Sequence, residues 1–335
     1  MKVVRATRFG GPEVLVVGEA ADPVAGPGEV VVEASVVDVL FVEAQIRSGW
    51  GGEYFTVEPP YVPGGGVAGR VVAIGEGVDP AWTGRRVLAR VGDGGYAERV
   101  VAPVTGLAPV PDALDLREAA ALLHDGATAM GLMDVVEVRP GETVLVTAAA
   151  GGLGILLAQL ARAAGARVIG AARGERKLEV VRELGADAVD YSGPGWTGAV
   201  RELTGGAGVD VVLDGAGGEI GTAAYELVRP GGRFSAHGAP SGGFASVDRD
   251  EAQRRGVRVT GIERVQFSPD EAGRLTARAL AEAAAGRIRP VIGRTFPLAS
   301  AAEAHAAVES RSVVGKTLLL TGSPTGSPTG RTSIH

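Results

Sequence analysis

The sequence predicts an α/β protein: a doubly wound parallel sheet joined to a compact, β-rich domain. Three observations carry this expectation. Up to about residue 120 the chain reads as short β-rich pieces cut by glycine and proline, the pattern of a partly closed β-domain. From about residue 142 strand-like and helix-like segments alternate, which calls for parallel β-α-β units. Between the first two of these strands lies VTAAAGGLGILLAQLARAAGARVIGAAR, residues 146–173, a glycine cluster set between an apolar run and a helical pattern.

In chain order, MKVVRATRFGGPEVL, GEVVVEASVV, GRVVAIGEGV, GRRVLARV and GGYAERVVA supply the strands of the β-rich part. ETVLVT is then a strand, Leu153–Ala164 a helix, RVIGAA a strand and Arg176–Leu184 a helix. DAVDY, VDVVLDGAG and GGRFSAHG follow as strands with helical stretches between them. GVRVTGIERV (256–265) is expected to form an apolar strand at the sheet edge. DEAGRLTARALAEAAAG and AAEAHAAVESR read as helices, and KTLLLT as a final strand that returns to the first domain. The tail holds a tandem SPTG repeat with almost nothing apolar and is expected to be disordered over 323–335.

Composition narrows the classes. The chain has 335 residues, 45% hydrophobic and 21% charged, enough for two ordinary globular domains. A net charge of −6 argues against nucleic acid or an anionic membrane as the partner. There is no cysteine, which excludes disulfides, thiolate catalysis and thiolate metal sites and fits a reducing cytoplasm. MKVVRATRFGG carries no apolar core of signal-peptide length. Residues 143–161 carry no charge, yet the glycines divide them, so strand, turn and helix explain the run better than a membrane span.

Ala149-x-Gly151-x-x-Gly154 is a dinucleotide fingerprint with alanine at its first position. The pattern needs small residues because the chain turns tightly, its backbone approaches a pyrophosphate, and the helix packs close to the sheet. Gly152 and Leu153 open that helix, whose free N–H groups and partial positive charge suit phosphate. At the tip of the second strand an acid would select a ribose 2′-hydroxyl. This strand ends instead in Ala172-Arg173, with Lys177 a turn on. Arg173 and Lys177 therefore point to NADP(H); their plainer reading is as solvated helix-start charges, with Glu175 nearby.

Here the residues carry a family resemblance. FGGPEVL (9–15), GPGEVVVEA (26–34), GGYAERV (94–100), AAAGGLG (148–154), residues 166–187, TGGAGVDVVLD (204–214) and RPGGRF (229–234) resemble the medium-chain dehydrogenase/reductase superfamily. The similarity is to its zinc-free, NADPH-dependent quinone oxidoreductase branch. It implies a GroES-like catalytic domain (1–122 and 267–322) around a Rossmann nucleotide-binding domain (123–266), with the cofactor in the cleft between them. It also implies a homodimer that pairs the 256–265 edge across a two-fold axis.

Within that alignment the zinc ligands of the superfamily's alcohol dehydrogenases fall at Leu40, Gly65 and Gly66. None of these side chains can ligate zinc, and the histidines at 124, 237, 305 and 335 have no metal-motif spacing. No metal site is expected, and a bound zinc would contradict the reading. Chemistry without a Lewis acid favours hydride delivery to an electron-poor carbon. Leu40 also replaces the branch's usual asparagine, and Glu43 its aspartate, so a substrate hydrogen bond is lost. Trp50, Tyr54 and Phe55, in a rebuilt loop, are candidates for an aromatic wall around a flat ring or are plain loop anchors. Tyr54 is also a candidate catalytic hydroxyl.

In LHDGATAMGL (123–132) the resemblance sets Thr128 at the nicotinamide carboxamide. His124 is a candidate proton donor, or it packs while Asp125 caps a helix. The resemblance further implies Tyr191 beside the adenosine phosphate, unless it merely packs. His237 and Gly238 lie beside the nicotinamide, with a backbone contact expected, and Asp214 shapes the cleft or turns the chain. His305 reads as surface or core. The expectation is thus an NADPH-dependent quinone reductase. Alternatives are an enoyl or 2-alkenal C=C reductase of the same superfamily, or a non-catalytic NADPH-binding protein.

Overall fold

The computed structural model describes residues 1–51 and 55–322. Tyr54 and the tail expected to be disordered lie outside the described residues. The chain divides into two compact units, one of Met1–Pro109, Arg294–Ser312 and the stretch from Thr317, the other of Val110–Gly293 and Val313–Lys316.

The first unit begins with β1 (Lys2–Ala6), β2 (Leu15–Glu19), β3 (Glu29–Val39), α1 (Phe41–Ser48), β4 (Gly66–Ile74), β5 (Arg86–Arg90), β6 (Arg99–Pro103) and β7 (Leu107–Pro109). β1 and β2 form an antiparallel pair. β3 is the spine of the larger sheet: β4 runs antiparallel along one edge, and β6 pairs with its first half along the other. Val30, Val32, Val37, Val87 and Leu88 are fully buried between strands and cover. Alternation of apolar and polar positions suits a sheet with one wet face.

The second unit runs α2 (Leu116–Leu122), α3 (Asp125–Val136), β8 (Thr143–Thr147), α4 (Gly152–Ala163), β9 (Arg167–Ala172), α5 (Glu175–Glu183) and β10 (Asp187–Asp190). It continues with α6 (Trp196–Leu203), β11 (Val209–Asp214), α7 (Gly218–Tyr225), β12 (Val228–Ala236), α8 (Arg249–Arg255), β13 (Arg258–Thr260) and α9 (Pro269–Ala284). The chain then gives β14 (Ile292–Pro297), α10 (Ala301–Glu309) and β15 (Lys316–Leu320), and β15 pairs antiparallel with the second half of β3. The six-stranded sheet has the order β10-β9-β8-β11-β12-β13, every pair parallel. That is the doubly wound order, which reverses direction between β8 and β11. Every residue of β11 is buried, as strands covered on both faces must be.

Two expectations need correction. The edge strand stops at Thr260, and Ile262–Val265 is a 3₁₀ turn. The Gly261 N–H donates to the Glu263 carboxylate at 3.0 Å, a local closure that competes with the sheet ladder. The unit boundaries also fall at 110 and 293 rather than 122 and 267. The reason is packing: α9 lies on α3, where a methyl on Gly126 would meet the Ala279 Cβ at 2.8 Å. Arg278 completes the seam with two bonds to Asp134 at 2.7 and 2.8 Å. Among the described residues no helix is long and apolar enough to cross a membrane.

Within the first unit α1 and α10 share a buried polar chain. Arg47, fully buried, donates to His305 Nδ1 at 3.3 Å, to the Gly10 carbonyl and to Glu309. Its removal leaves His305 and the Gly10 carbonyl short of a donor while Glu309 still reaches water. We expect Arg47→Met to cost about 2–4 kcal/mol, read as a lowered urea midpoint with an unchanged slope.

Candidate functional site

The site in the second unit is built where β8 turns into α4. Ala148, at φ +50°, takes the left-handed conformation that reverses the chain, and the Gly151 N–H closes the turn on the Ala148 carbonyl at 2.9 Å. A methyl on Gly154 would lie 2.4 Å from that carbonyl oxygen and 2.8 Å from Ala149 Cα. Glycine is therefore required for α4 to approach the turn. Gly170, on β9, would place a methyl 2.5 Å from Val181 Cγ1 and 3.0 Å from the Ala149 Cβ. The methyl of Ala149 fits because its neighbour on β9 has none, which explains alanine at the first fingerprint position. Gly151, Gly152 and Leu153 lead into the N-terminus of α4, an arrangement that can cradle a pyrophosphate.

At the carboxyl end of β9, the Tyr191 N–H donates to the Ala172 carbonyl at 3.1 Å, so Tyr191 adjoins Arg173. Lys177 lies in the first turn of α5. Glu175 is drawn into an ion pair with Arg182. Sequence reading missed a second acid here. Asp190 accepts from Ser192 N–H at 2.8 Å, from the Ser192 hydroxyl and from Gly174 N–H at 3.3 Å. The Ser192 bonds, with help from the Gly174 N–H and the Arg173 charge, lower its pKa. Tyr191 also meets Trp196 edge to face at 6.5 Å.

The neighbouring wall comes from β11 and β12. Asp214 Oδ1 accepts from the Thr147 hydroxyl at 2.7 Å and from the Ala216 and Gly217 N–H groups at 3.1 Å. Burial raises its pKa against those donors, and Oδ2 finds no hydrogen-bond partner among the described residues. His237 and Gly238 both donate their N–H to the Asp214 carbonyl, at 3.1 and 3.0 Å. Their backbone donors are thus spent inside the protein. His237 is buried, and desolvation drives its pKa to about 4, so the ring is neutral at pH 7. A methyl on Gly215 would lie 3.5 Å from its Nε2.

Further along, Thr128 sits half-buried in α3. His124 is the N-cap of that helix and makes no capping bond through its side chain. Asp125 is the first helical residue rather than the cap, and it pairs with Lys316 Nζ at 3.1 Å. Asp125, which one of the two readings of this segment made the cap, thus stands one position inside the helix.

In the first unit, Glu43 organises the second group of candidates. Its carboxylate accepts from Leu40 N–H at 3.0 Å, Gly65 N–H at 2.9 Å and the Tyr96 hydroxyl at 2.9 Å. Tyr96 in turn lies 2.8 Å from His305 Nε2. Because Arg47 donates to Nδ1, the neutral ring carries its proton on Nε2, and the chain runs one way from Arg47 through His305 and Tyr96 to Glu43. Burial raises the Glu43 pKa to about 7, and burial beside Arg47 lowers that of His305 to about 3. One carboxylate therefore ties together the backbones of Leu40 and Gly65, whose side chains offer no metal donor. Trp50 is held by its N–H on the Gln45 carbonyl at 3.0 Å, and the Phe55 N–H donates to the Gly51 carbonyl at 2.9 Å. Phe9, from the connection between β1 and β2, packs 3.7 Å from a methyl position on Gly49 at the start of the loop that holds both; it carried no signal in the sequence.

The architecture and the fingerprint turn have counterparts among known proteins. The family profile described as zinc-binding dehydrogenase matches residues 152–280, and that described as alcohol dehydrogenase GroES-like domain matches residues 26–112. A Sus scrofa quinone oxidoreductase is 32% identical over 327 residues, covering 96% of this chain and 98% of that protein. The chain belongs to the quinone oxidoreductase branch of the medium-chain dehydrogenase/reductase superfamily. A 2-haloacrylate reductase from a Burkholderia species is 33% identical over 93% of this chain and 96% of that protein. The crystal structure of Escherichia coli quinone oxidoreductase complexed with NADPH matches with a TM-score of 0.88 and 28% identity, over 96% of this chain and 100% of that one. One profile's description mentions zinc; the resemblance sets Leu40, Gly65 and Gly66 at the ligand positions. Among the described residues no group of three or more metal-ligating side chains gathers.

The buried titrating groups set a pH dependence. The folded pKa values of His237 and His305 lie below the ordinary 6.5. The stability they contribute is present above pH 6.5 and is lost as pH falls through about 4 and about 3. Glu43, raised from 4.5 to about 7, acts oppositely: its contribution is full below pH 4.5 and is lost as pH rises through 7. We expect Glu43→Gln to remove that counterweight. Its unfolding free energy should fall with acidification between about pH 7 and 4.5 more steeply than the wild type's, by about 1.4 kcal/mol per pH unit, in urea titrations across the range.

Proposed function

We propose that this chain is a zinc-independent NADPH-dependent reductase that transfers hydride to a quinone. The observation that carries the reading is the methyl-free approach of α4 to the β8 turn, with Arg173 and Lys177 at the tip of β9 where an NAD site carries an acid. Similarity to a quinone oxidoreductase solved with NADPH supports the same assignment.

The N–H groups at the start of α4, from Gly152 to Gly154, receive the pyrophosphate, the Gly151 N–H being committed to the Ala148 carbonyl. Arg173 and Lys177 neutralise the 2′-phosphate, and Tyr191 flanks the adenosine. Thr128 binds the carboxamide. His237 and Gly238 contribute carbonyl oxygens there, since their N–H groups are committed to Asp214. Asp214, held by Thr147, shapes the floor. When bound, the reduced nicotinamide supplies the hydride that an electron-poor ring or alkene accepts. Leu40, Trp50 and Phe55 form an apolar wall for a flat substrate, and His124 or Tyr54 delivers the proton that completes reduction. With neither metal nor side-chain amide at position 40, the chain relies on positioning and orientation.

A second reading, reduction of an activated C=C bond, is favoured by similarity to a 2-haloacrylate reductase. We further infer a soluble cytoplasmic enzyme and a homodimer paired through β13, which lies at the edge of the parallel sheet. An exposed strand edge is ordinarily paired or covered. The catalytic and nucleotide-binding roles are assigned to the first and second units.

The test is cofactor oxidation with NADPH and NADH against a naphthoquinone, a simple enone and 2-chloroacrylate, with products identified. We expect NADPH preference and quinol product. Arg173→Ala/Lys177→Ala should raise the KM for NADPH about 30-fold and leave that for NADH within about twofold, the loss of two charge-assisted phosphate contacts. Preference for NADH, or binding of NADPH without oxidation by any acceptor, would overturn the reading.

A further inference from the structure

The Asp125–Lys316 pair lies against the fingerprint helix, and neither residue has a role in the assignment above. A methyl on Gly152, the first residue of α4, would sit 2.2 Å from Asp125 Oδ2 and 3.2 Å from Lys316 Cδ. The carboxylate therefore lies against the first residue of the helix, where the helix dipole favours an anion. By sign it repels a phosphate bound at the fingerprint turn. Lys316 Nζ, 3.1 Å away, cancels that charge. The lysine and aspartate side chains are only 6% and 17% exposed, so solvent ions screen them little.

The lysine is held there by its own segment. The Gly315 N–H donates to the Ala150 carbonyl at 2.7 Å, and the Lys316 N–H donates to the Val291 carbonyl at 2.8 Å. Gly315 takes φ +69°, and a methyl on it would lie 2.1 Å from the Val291 oxygen. The returning segment is thus pinned directly to the fingerprint turn, and the ammonium it carries is fixed relative to the N–H groups of α4.

We propose that Lys316 is an affinity-determining residue of the pyrophosphate site, with Asp125 as its counter-ion. This rests on the reading of the turn as an NADP(H) site. With the pair intact the entrance is neutral. Without Lys316 the carboxylate has lost this partner, and a negative charge is added beside the turn that is to hold two phosphates. Without Asp125 it carries an ammonium, and without both it is neutral again. Affinity for NADPH should therefore follow charge and not the presence of either side chain.

The experiment is a calorimetric binding cycle with NADPH and with 2′-AMP, which keeps the adenosine 2′-phosphate but lacks the pyrophosphate. We expect Lys316→Met to raise the Kd for NADPH about tenfold, and Asp125→Asn to leave it equal or tighter. The double variant should return to within about threefold of wild type. For 2′-AMP all four proteins should agree within about twofold, which also reports that each variant is folded. Wild-type affinity in Lys316→Met would overturn the proposal. So would a double variant as weak as Lys316→Met, or a parallel loss of 2′-AMP binding, either of which makes the pair purely structural. Failure of the wild type to bind NADPH or 2′-AMP at all would instead overturn the cofactor reading itself.

Discussion

How closely α4 can approach β8 and β9 governs the carboxyl edge of the parallel sheet. Two missing methyl groups set that distance. Gly154 lets the helix pass the Ala148 carbonyl, and Gly170 leaves the space that the Ala149 methyl fills. Ala148 adopts a left-handed backbone that costs an alanine on the order of 1 kcal/mol, and the surrounding turn holds it there. From that approach follow the placement of the N–H groups at the start of α4, the position of the β9 tip, and the docking of Gly315 on Ala150. A bulkier side chain at 154 would move all three together.

The two units handle charge differently. The first encloses Arg47, His305, Tyr96 and Glu43 in a directed hydrogen-bond chain whose last acceptor ties Leu40 to Gly65. In a zinc dehydrogenase of this superfamily the side chains at those positions would converge on a metal. Here the two backbones converge on a carboxylate, Glu43 accepting from both N–H groups. The second unit sets Arg173 and Lys177 beyond the tip of β9 and Lys316 beside the fingerprint turn. Asp190 stands beside Arg173, but it is held by Ser192 and the Gly174 N–H and so lies within a local turn.

Much of the second unit was legible in the sequence because its signals are local. Unbroken apolar runs such as TVLVT and VDVVLD suit strands covered on both faces, and the glycines between strand and helix announce the turn. Legibility ended where partners lie far apart along the chain. Nothing near Lys316 points to Asp125, and nothing near Arg47 points to His305. The 256–265 segment misled because its valines and isoleucine imitate a strand, whereas Gly261 and Glu263 close a turn within it. The boundary at 267 misled for another reason: an amphipathic helix shows that it packs, not on which unit, and the small residues Gly126 and Ala279 decide in favour of α3. In the candidate site Asp190 beside the β9 tip was missed, and the fingerprint turn was read directly. The spent backbone donors of His237 and Gly238 were not, since they depend on the Asp214 carbonyl across two strands.

A crystal structure of the full chain with NADPH bound would decide whether the α4 approach serves a dinucleotide. Pyrophosphate oxygens should lie on the N–H groups from Gly152 to Gly154, and the 2′-phosphate against Arg173 and Lys177. Phosphates bound away from the turn, or a 2′-phosphate turned from both cations, would contradict that role.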